Sequence, residues 1–139
     1  MNLHAHLTFN GNCRQAMTFY QSCLGGKLHF QTLGDSPLST QMPARMKKCI
    51  LRGLLENETM TLVGTDLVNG LGLIKGNSIS LLLHCANKKE ASRLYKKLSV
   101  GATQVQRLRV NHFGTLVGGF TDRYGCHWIV QCNEEAVVL

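Results

Sequence analysis

Two stretches of this chain say nearly the same thing, 75 positions apart. Phe9 to Gly26 reads FNGNCRQAMTFYQSCLGG, and His84 to Gly101 reads HCANKKEASRLYKKLSVG. Laid over each other without a gap, they put Asn12 on Asn87, Ala16 on Ala91, Phe19 on Leu94, Tyr20 on Tyr95 and Gly26 on Gly101. Each follows a short apolar run, LHAHLTF in the first and SISLLLH in the second. Each therefore reads as strand, turn, amphipathic helix and glycine stop. Two matched halves of this length imply a duplicated unit, with the working site expected between the halves.

The periods fill in the rest of each half. Leu3, Ala5, Leu7 and Phe9 alternate with His4, His6 and Thr8, which is the pattern of a strand with two different faces. Asn10-Gly11-Asn12 supplies turn and cap chemistry. From Cys13 to Leu24 the apolar residues recur at steps of three and four, as in a helix with one buried face. A strand is expected at Lys27 to Leu33, a loop with both prolines at Gly34 to Pro43, and a hairpin over Lys48 to Leu55 and Thr59 to Gly64. The glycine-rich segment Asp66 to Asn77 reads as a linker. The second half repeats the plan: strand Ile79 to Cys85, helix Lys88 to Leu98, strands Thr103 to Val110 and Phe113 to Thr121, a turn at Asp122 to Gly125, and strand His127 to Cys132. Each half is βαβββ, so the chain is α+β. At 139 residues it is expected to be one domain, with a first module over about 1–66 and a second over about 77–134.

Charge and cysteines narrow the class without naming a reaction. The formal net charge is +7, with no nucleic-acid motif beside it. The densest basic run, Lys88, Lys89, Arg93, Lys96 and Lys97, lies on one predicted helix and reads as its solvated face. An anionic partner on that helix is the alternative. The six cysteines form no C-x-x-C pair and no zinc-ribbon spacing, so they read as reduced, mostly buried thiols. The longest apolar runs are too short to span a membrane, and the chain has no secretory signal pattern at its N-terminus. The expected location is the cytoplasm.

The motifs in order resemble a known family. FNGNCRQAMTFYQSCLGG, then MPARMKKCI with LVGTD, then GGFTDRYGCHWIV, are similar to the vicinal oxygen chelate superfamily, which includes glyoxalase I and bleomycin-resistance proteins, and most of all to its PhnB-like branch. Phe113-Gly114 stands where that branch usually has tryptophan-glycine. The resemblance implies a U-shaped mixed sheet that lines a cleft between two βαβββ modules. It also implies a homodimer. Some branch members carry a methyltransferase label, but no strand followed by a glycine-rich S-adenosylmethionine loop is present.

Metal-using members of that superfamily hold one divalent ion with four side chains drawn from both modules. The first is a histidine on the first strand and the last a glutamate on the final strand. His4 falls at the first position if Phe9 closes the strand; the gapless repeat would put Ala5 there instead. Ser80 falls at the matching position of the second module, and Ile129 falls near the glutamate. Ile129 offers no ligand atom, Ser80 is a poor one, and the first-module hairpin shows no obvious acid. The expectation is no cofactor and no tightly held metal; were one held, His4 would be a ligand, and a lyase or dioxygenase-like reaction would follow. The leading expectation is a small-molecule-binding protein of unknown substrate, with His4, His6, Phe113 and Trp128 lining the cleft; for Trp128 a core position is the plainer reading and ligand stacking the sharper one. His84 reads as structural. His112 and His127 read equally as cleft or surface. Asp66 and Asp122 read as turn formers, and Tyr20 and Tyr95 as packing residues.

Overall fold

The computed structural model describes residues 1–133. The chain forms two compact units that divide between Ile74 and Lys75, inside the expected linker. Position 134, where the second module was expected to end, lies outside the described residues.

The first unit runs β1 (Ala5–Thr8), α1 (Cys13–Leu24), β2 (Lys27–Thr32), α2 (Ala44–Lys47), β3 (Ile50–Glu56) and β4 (Thr61–Thr65). Its sheet has the order β1-β4-β3-β2. β1 runs parallel to β4, and the other neighbours are antiparallel. The parallel pair exists because the chain crosses over through α1 before returning. The stretch expected as an open loop carries two short 3-10 turns, Leu33–Asp35 and Pro37–Gln41, before α2. Local bonds explain them: Asp35 accepts from the Thr32 N–H at 2.9 Å, and Ser36 accepts from Leu38 N–H at 3.2 Å.

α1 buries Cys13, Ala16, Met17, Tyr20 and Cys23, the stripe read from the sequence. It packs close to the sheet. A Cβ on Gly64 would stand 2.9 Å from Met17 Sδ and 3.0 Å from Cys13 Sγ, and one on Gly53 would meet the Phe30 ring at 3.0 Å. Gly53 and Gly64 thus face α1, and their strand neighbours Leu54 and Val63 face the other way. The helix ends at glycine for a steric reason: Gly26 has φ 104°, and any Cβ there would stand 2.7 Å from Glu56 O.

The second unit repeats the order as β5 (Leu81–His84), α3 (Lys88–Leu98), β6 (Thr103–Val110), β7 (Thr115–Thr121) and β8 (His127–Asn133), with sheet order β5-β8-β7-β6. β5 is parallel to β8 and the rest are antiparallel. α3 starts at Asn87, whose side chain accepts from the Glu90 N–H at 2.8 Å, while Glu90 accepts from Ala86 N–H at 3.3 Å. It buries Ala91, Leu94 and Leu98 and leaves the basic run exposed, as an amphipathic helix requires. The Tyr95 ring meets Phe120 edge-on at 5.3 Å. Phe120 and its row therefore face α3, and Val117, Gly119 and Thr121 face the other way. Both modules are the expected βαβββ units.

Candidate functional site

Each sheet has one face covered by its helix and one face without a helix of its own. On that open face of the first module a row crosses all four strands: His6 beside Val63, Val63 beside Leu54, Leu54 beside His29. Two apolar side chains lie between two histidines. Along the β2–β3 edge, His29, Gln31, Asp35, Arg52 and Leu54 border a depression of about 590 Å³.

The second module repeats the layout with different chemistry. One row reads Leu82, Ile129, Gly119, Gln106, and the next reads His84, Gln131, Val117, Arg109. Gln131 Nε2 lies 3.3 Å from His84 Nδ1. A hollow of about 290 Å³ opens over Gly119, bordered by Gln106, Arg107, Arg109, Asn111, Val117 and Ile129.

The placement of Gln106 and Arg109 depends on β6. Gln106 pairs with Gly119 and Arg109 with Val117, so Arg107 and Leu108 together oppose Gly118. Thr103 pairs with Thr121, so Gln104 and Val105 together oppose Phe120, with Gln104 at φ 50°. These two bulges convert a period of two into a period of three. Thr103, Gln106 and Arg109 thereby share the open face. Simple alternation along TQVQRLRV would have separated Gln106 from Arg109. No signal in the sequence points to either residue.

Of the four residues expected in one cleft, His6 is exposed on the open face of the first sheet. His4 is exposed too, but it precedes β1. Trp128 is not a lining residue but takes its plainer reading. It is 2% exposed and pairs with Phe120 on the α3 side, and its Nε1 donates to Asp122 Oδ2 at 2.7 Å. It is a core residue, and Ile129 takes the open face instead. Phe113 is 82% exposed in the turn between β6 and β7. The β7–β8 ladder brings Thr115 beside Asn133 at one end and Phe120 beside Trp128 near the other, so Phe113 and Trp128 belong to opposite ends of it.

The remaining polar candidates have structural partners. Asp66 Oδ1 accepts from Gly11 N–H at 3.1 Å and Cys13 N–H at 2.9 Å, and Oδ2 accepts from Ile50 N–H at 3.0 Å. It caps α1 in place of Asn12, whose side chain makes no capping bond. Asp122 Oδ1 accepts from the N–H groups of Tyr124 at 2.8 Å and Cys126 at 3.0 Å. His127 has Nδ1 2.8 Å from Thr121 Oγ1 and Nε2 2.9 Å from Gly76 O. Burial, then the Asp66 carboxylate, pushes the Cys13 thiol up to about 12, and burial also raises Cys49 and Cys85. None of these three is a ready nucleophile.

Each module's open face offers few metal ligands along its parallel strand pair. On the first open face His6 stands beside Val63, and on the second Leu82 stands beside Ile129. Three of those four side chains are hydrocarbon and cannot donate a lone pair. Among the described residues, no three His, Cys, Asp or Glu side chains gather closely enough to hold a metal ion.

Known proteins agree with this architecture. Residues 1–131 match the family described as 3-demethylubiquinone-9 3-methyltransferase. The crystal structure of protein PA1353 from Pseudomonas aeruginosa is 33% identical, covers 97% of this chain and 99% of its own, and superposes with a TM-score of 0.84. A putative 3-demethylubiquinone-9 3-methyltransferase, PhnB protein, from Bacillus cereus is 16% identical over 95% of this chain and 99% of its own, with a TM-score of 0.69. A glyoxalase/bleomycin resistance protein/dioxygenase family enzyme from Burkholderia phytofirmans PsJN is 12% identical over 94% and 97%, with a TM-score of 0.64. The last two share the fold. With a family match across nearly its whole length and two βαβββ modules of the same strand order, the chain belongs to the 3-demethylubiquinone-9 3-methyltransferase family and has the fold of glyoxalase/bleomycin-resistance proteins.

Proposed function

We propose that the protein binds a small organic molecule on the open faces of its sheets, with no divalent ion taking part. One observation carries the reading: the second module's open face has an apolar floor of Val117 and Ile129, a hollow over Gly119, and a polar edge of Gln106, Arg109 and Asn111. An apolar floor with a few placed polar groups is the usual composition of a ligand site. In the first module His6 and His29 flank Val63 and Leu54, and His6 is proposed as a polar contact there.

The test is a thermal-shift screen of the purified protein against small aromatic acids, alcohols and amides, repeated with EDTA and with Mn²⁺. Stabilisation that EDTA leaves unchanged supports the reading. Stabilisation that needs Mn²⁺ and disappears on His6→Ala or His4→Ala overturns it.

A homodimer is the proposed assembly. Leu71, Ile74 and Ile79 are 89, 85 and 75% exposed, and each sheet ends in edge strands that favour cover. Light scattering at micromolar concentration should give twice the chain mass; monomer mass alone rules it out.

A further inference from the structure

We propose that the ligand is a small organic anion, with its carboxylate or phosphate group held by Arg109 and its apolar body lying over Gly119 against Val117 and Ile129. This rests on the small-molecule reading above and adds the charge and the anchoring residue.

Arg109 is placed for this by the β6 bulges, which set it beside Val117 on the open face with Gln106 one step along the same strand. Among the described residues the guanidinium makes no hydrogen bond or ion pair with the protein. Among the described residues of the second unit, no carboxylate is paired with it. In residues 75–133 the only acidic side chains are Glu90 and Asp122. Glu90 accepts at the start of α3, and Asp122 accepts from Tyr124, Cys126 and Trp128. An arginine with no carboxylate partner, bordering a hollow, presents a planar fork of donors to an incoming oxyanion.

The neighbours add neutral donors. Asn111 Oδ1 is taken by the N–H groups of Phe113 at 2.9 Å and Thr115 at 3.1 Å. Its amide nitrogen is left as the donor on that side of the hollow. Gln106 can turn either end of its amide toward a ligand. Gly119 is what makes the space: it is the one position in its row with no side chain, between Ile129 and Gln106. The hollow of about 290 Å³ sets the scale, at the small end of ligand sites. A single ring or short chain with one acidic group fits it. The first module's own depression differs: Leu54 and His29 stand in the matching row, and the Asp35 carboxylate borders it together with Arg52.

The experiment is calorimetric titration of the full chain at low salt with three probes of one size: benzoate, phenyl phosphate and benzyl alcohol. At least one anion should bind tenfold or more tightly than the alcohol. Arg109→Gln should erase that preference while leaving the urea midpoint unchanged. Arg109→Lys should keep part of it, since charge stays and the fork is lost. Arg52→Gln removes the same charge from the first module and should leave the preference intact. Amide shifts on adding the preferred anion should centre on Gln106, Gly118 and Gly119. Equal affinity for alcohol and anions, an unchanged preference in Arg109→Gln, or an equal loss in Arg52→Gln overturns the anion assignment and leaves the small-molecule reading standing. No binding of any probe overturns both.

Discussion

Trp128 and Asp122 form a 2.7 Å hydrogen bond, indole N–H to carboxylate, inside the second module. Asp122 is 3% exposed, and its other oxygen closes the turn into β8. One carboxylate therefore sets both the turn and the position of the largest buried ring.

Asp122→Ala should remove all three bonds and leave the indole N–H without its acceptor. Hydrogen bonds to a charged group contribute about 1.5–3 kcal/mol each, and they are not additive. The expected loss is about 3 kcal/mol, read as a fall in urea midpoint. Trp128 is the chain's one tryptophan, so its emission should also shift to the red in the folded variant. An unchanged midpoint would show that the turn closes without the carboxylate.

Asp66→Ala should weaken the first module in the same way. Its carboxylate, 53 positions from Cys13 and 16 from Ile50, joins the start of α1 to the start of β3. A loss of about 2 kcal/mol is expected, near the upper end for a helix cap. Amide exchange should rise at Cys13 and Ile50, with α3 unaffected.

Gly64→Ala should cost about 1–3 kcal/mol through overpacking against Met17 and Cys13. Met17→Ala opens the space, so the double variant should be more stable than the sum of the two losses predicts. Additive losses would place the strain elsewhere.

Stability should decline in alkali. The Cys13 thiol ionises near 9.0 when exposed and is pushed up to about 12 in the fold. The folded state thus holds a proton that the unfolded state releases. The resulting stabilisation is complete below about pH 9 and is lost as pH rises toward 12, at up to about 1.4 kcal/mol per pH unit. Cys85 and Cys49 are shifted in the same direction. Urea midpoints at pH 8 and pH 10 should differ, and Cys13→Ala should flatten that difference. An identical slope in the variant would show that Cys13 ionises normally.

The duplicated pattern made the two modules and both long helices legible before any coordinates. α1 and α3 span the residues their apolar spacing indicated, because a helix that packs on one face must repeat its apolar residues every three or four positions. The same repeat misaligned the strands by one residue. Asn12 and Asn87, 75 positions apart, both begin helices. Phe9 and Cys85, 76 apart, are the matched strand ends: each is buried and donates its N–H across the parallel pair, to Thr65 O at 2.8 Å and Gln131 O at 2.7 Å. The first turn has one more residue than the second, and only strand pairing reveals it. Alternation favours this register too, with His4 opposite in facing to Leu7 and Phe9.

The candidate site was much less legible. Alternation predicts faces only while a strand keeps its period, and β6 changes period twice where bulges form against β7. Those bulges are a property of two strands paired, not of TQVQRLRV alone, so Gln106 and Arg109 gave no sign of sharing a face. Trp128 looked like a cleft residue because an aromatic ring suits a ligand or a core equally well. Its facing was decided by pairing with Phe120 and by a carboxylate six residues away. The sequence by itself determined which segments are amphipathic and how often the plan repeats, since both are local. The tertiary structure alone decided which face each polar residue occupies and which carboxylates are already spent on backbone donors, since both depend on chain segments far apart in sequence.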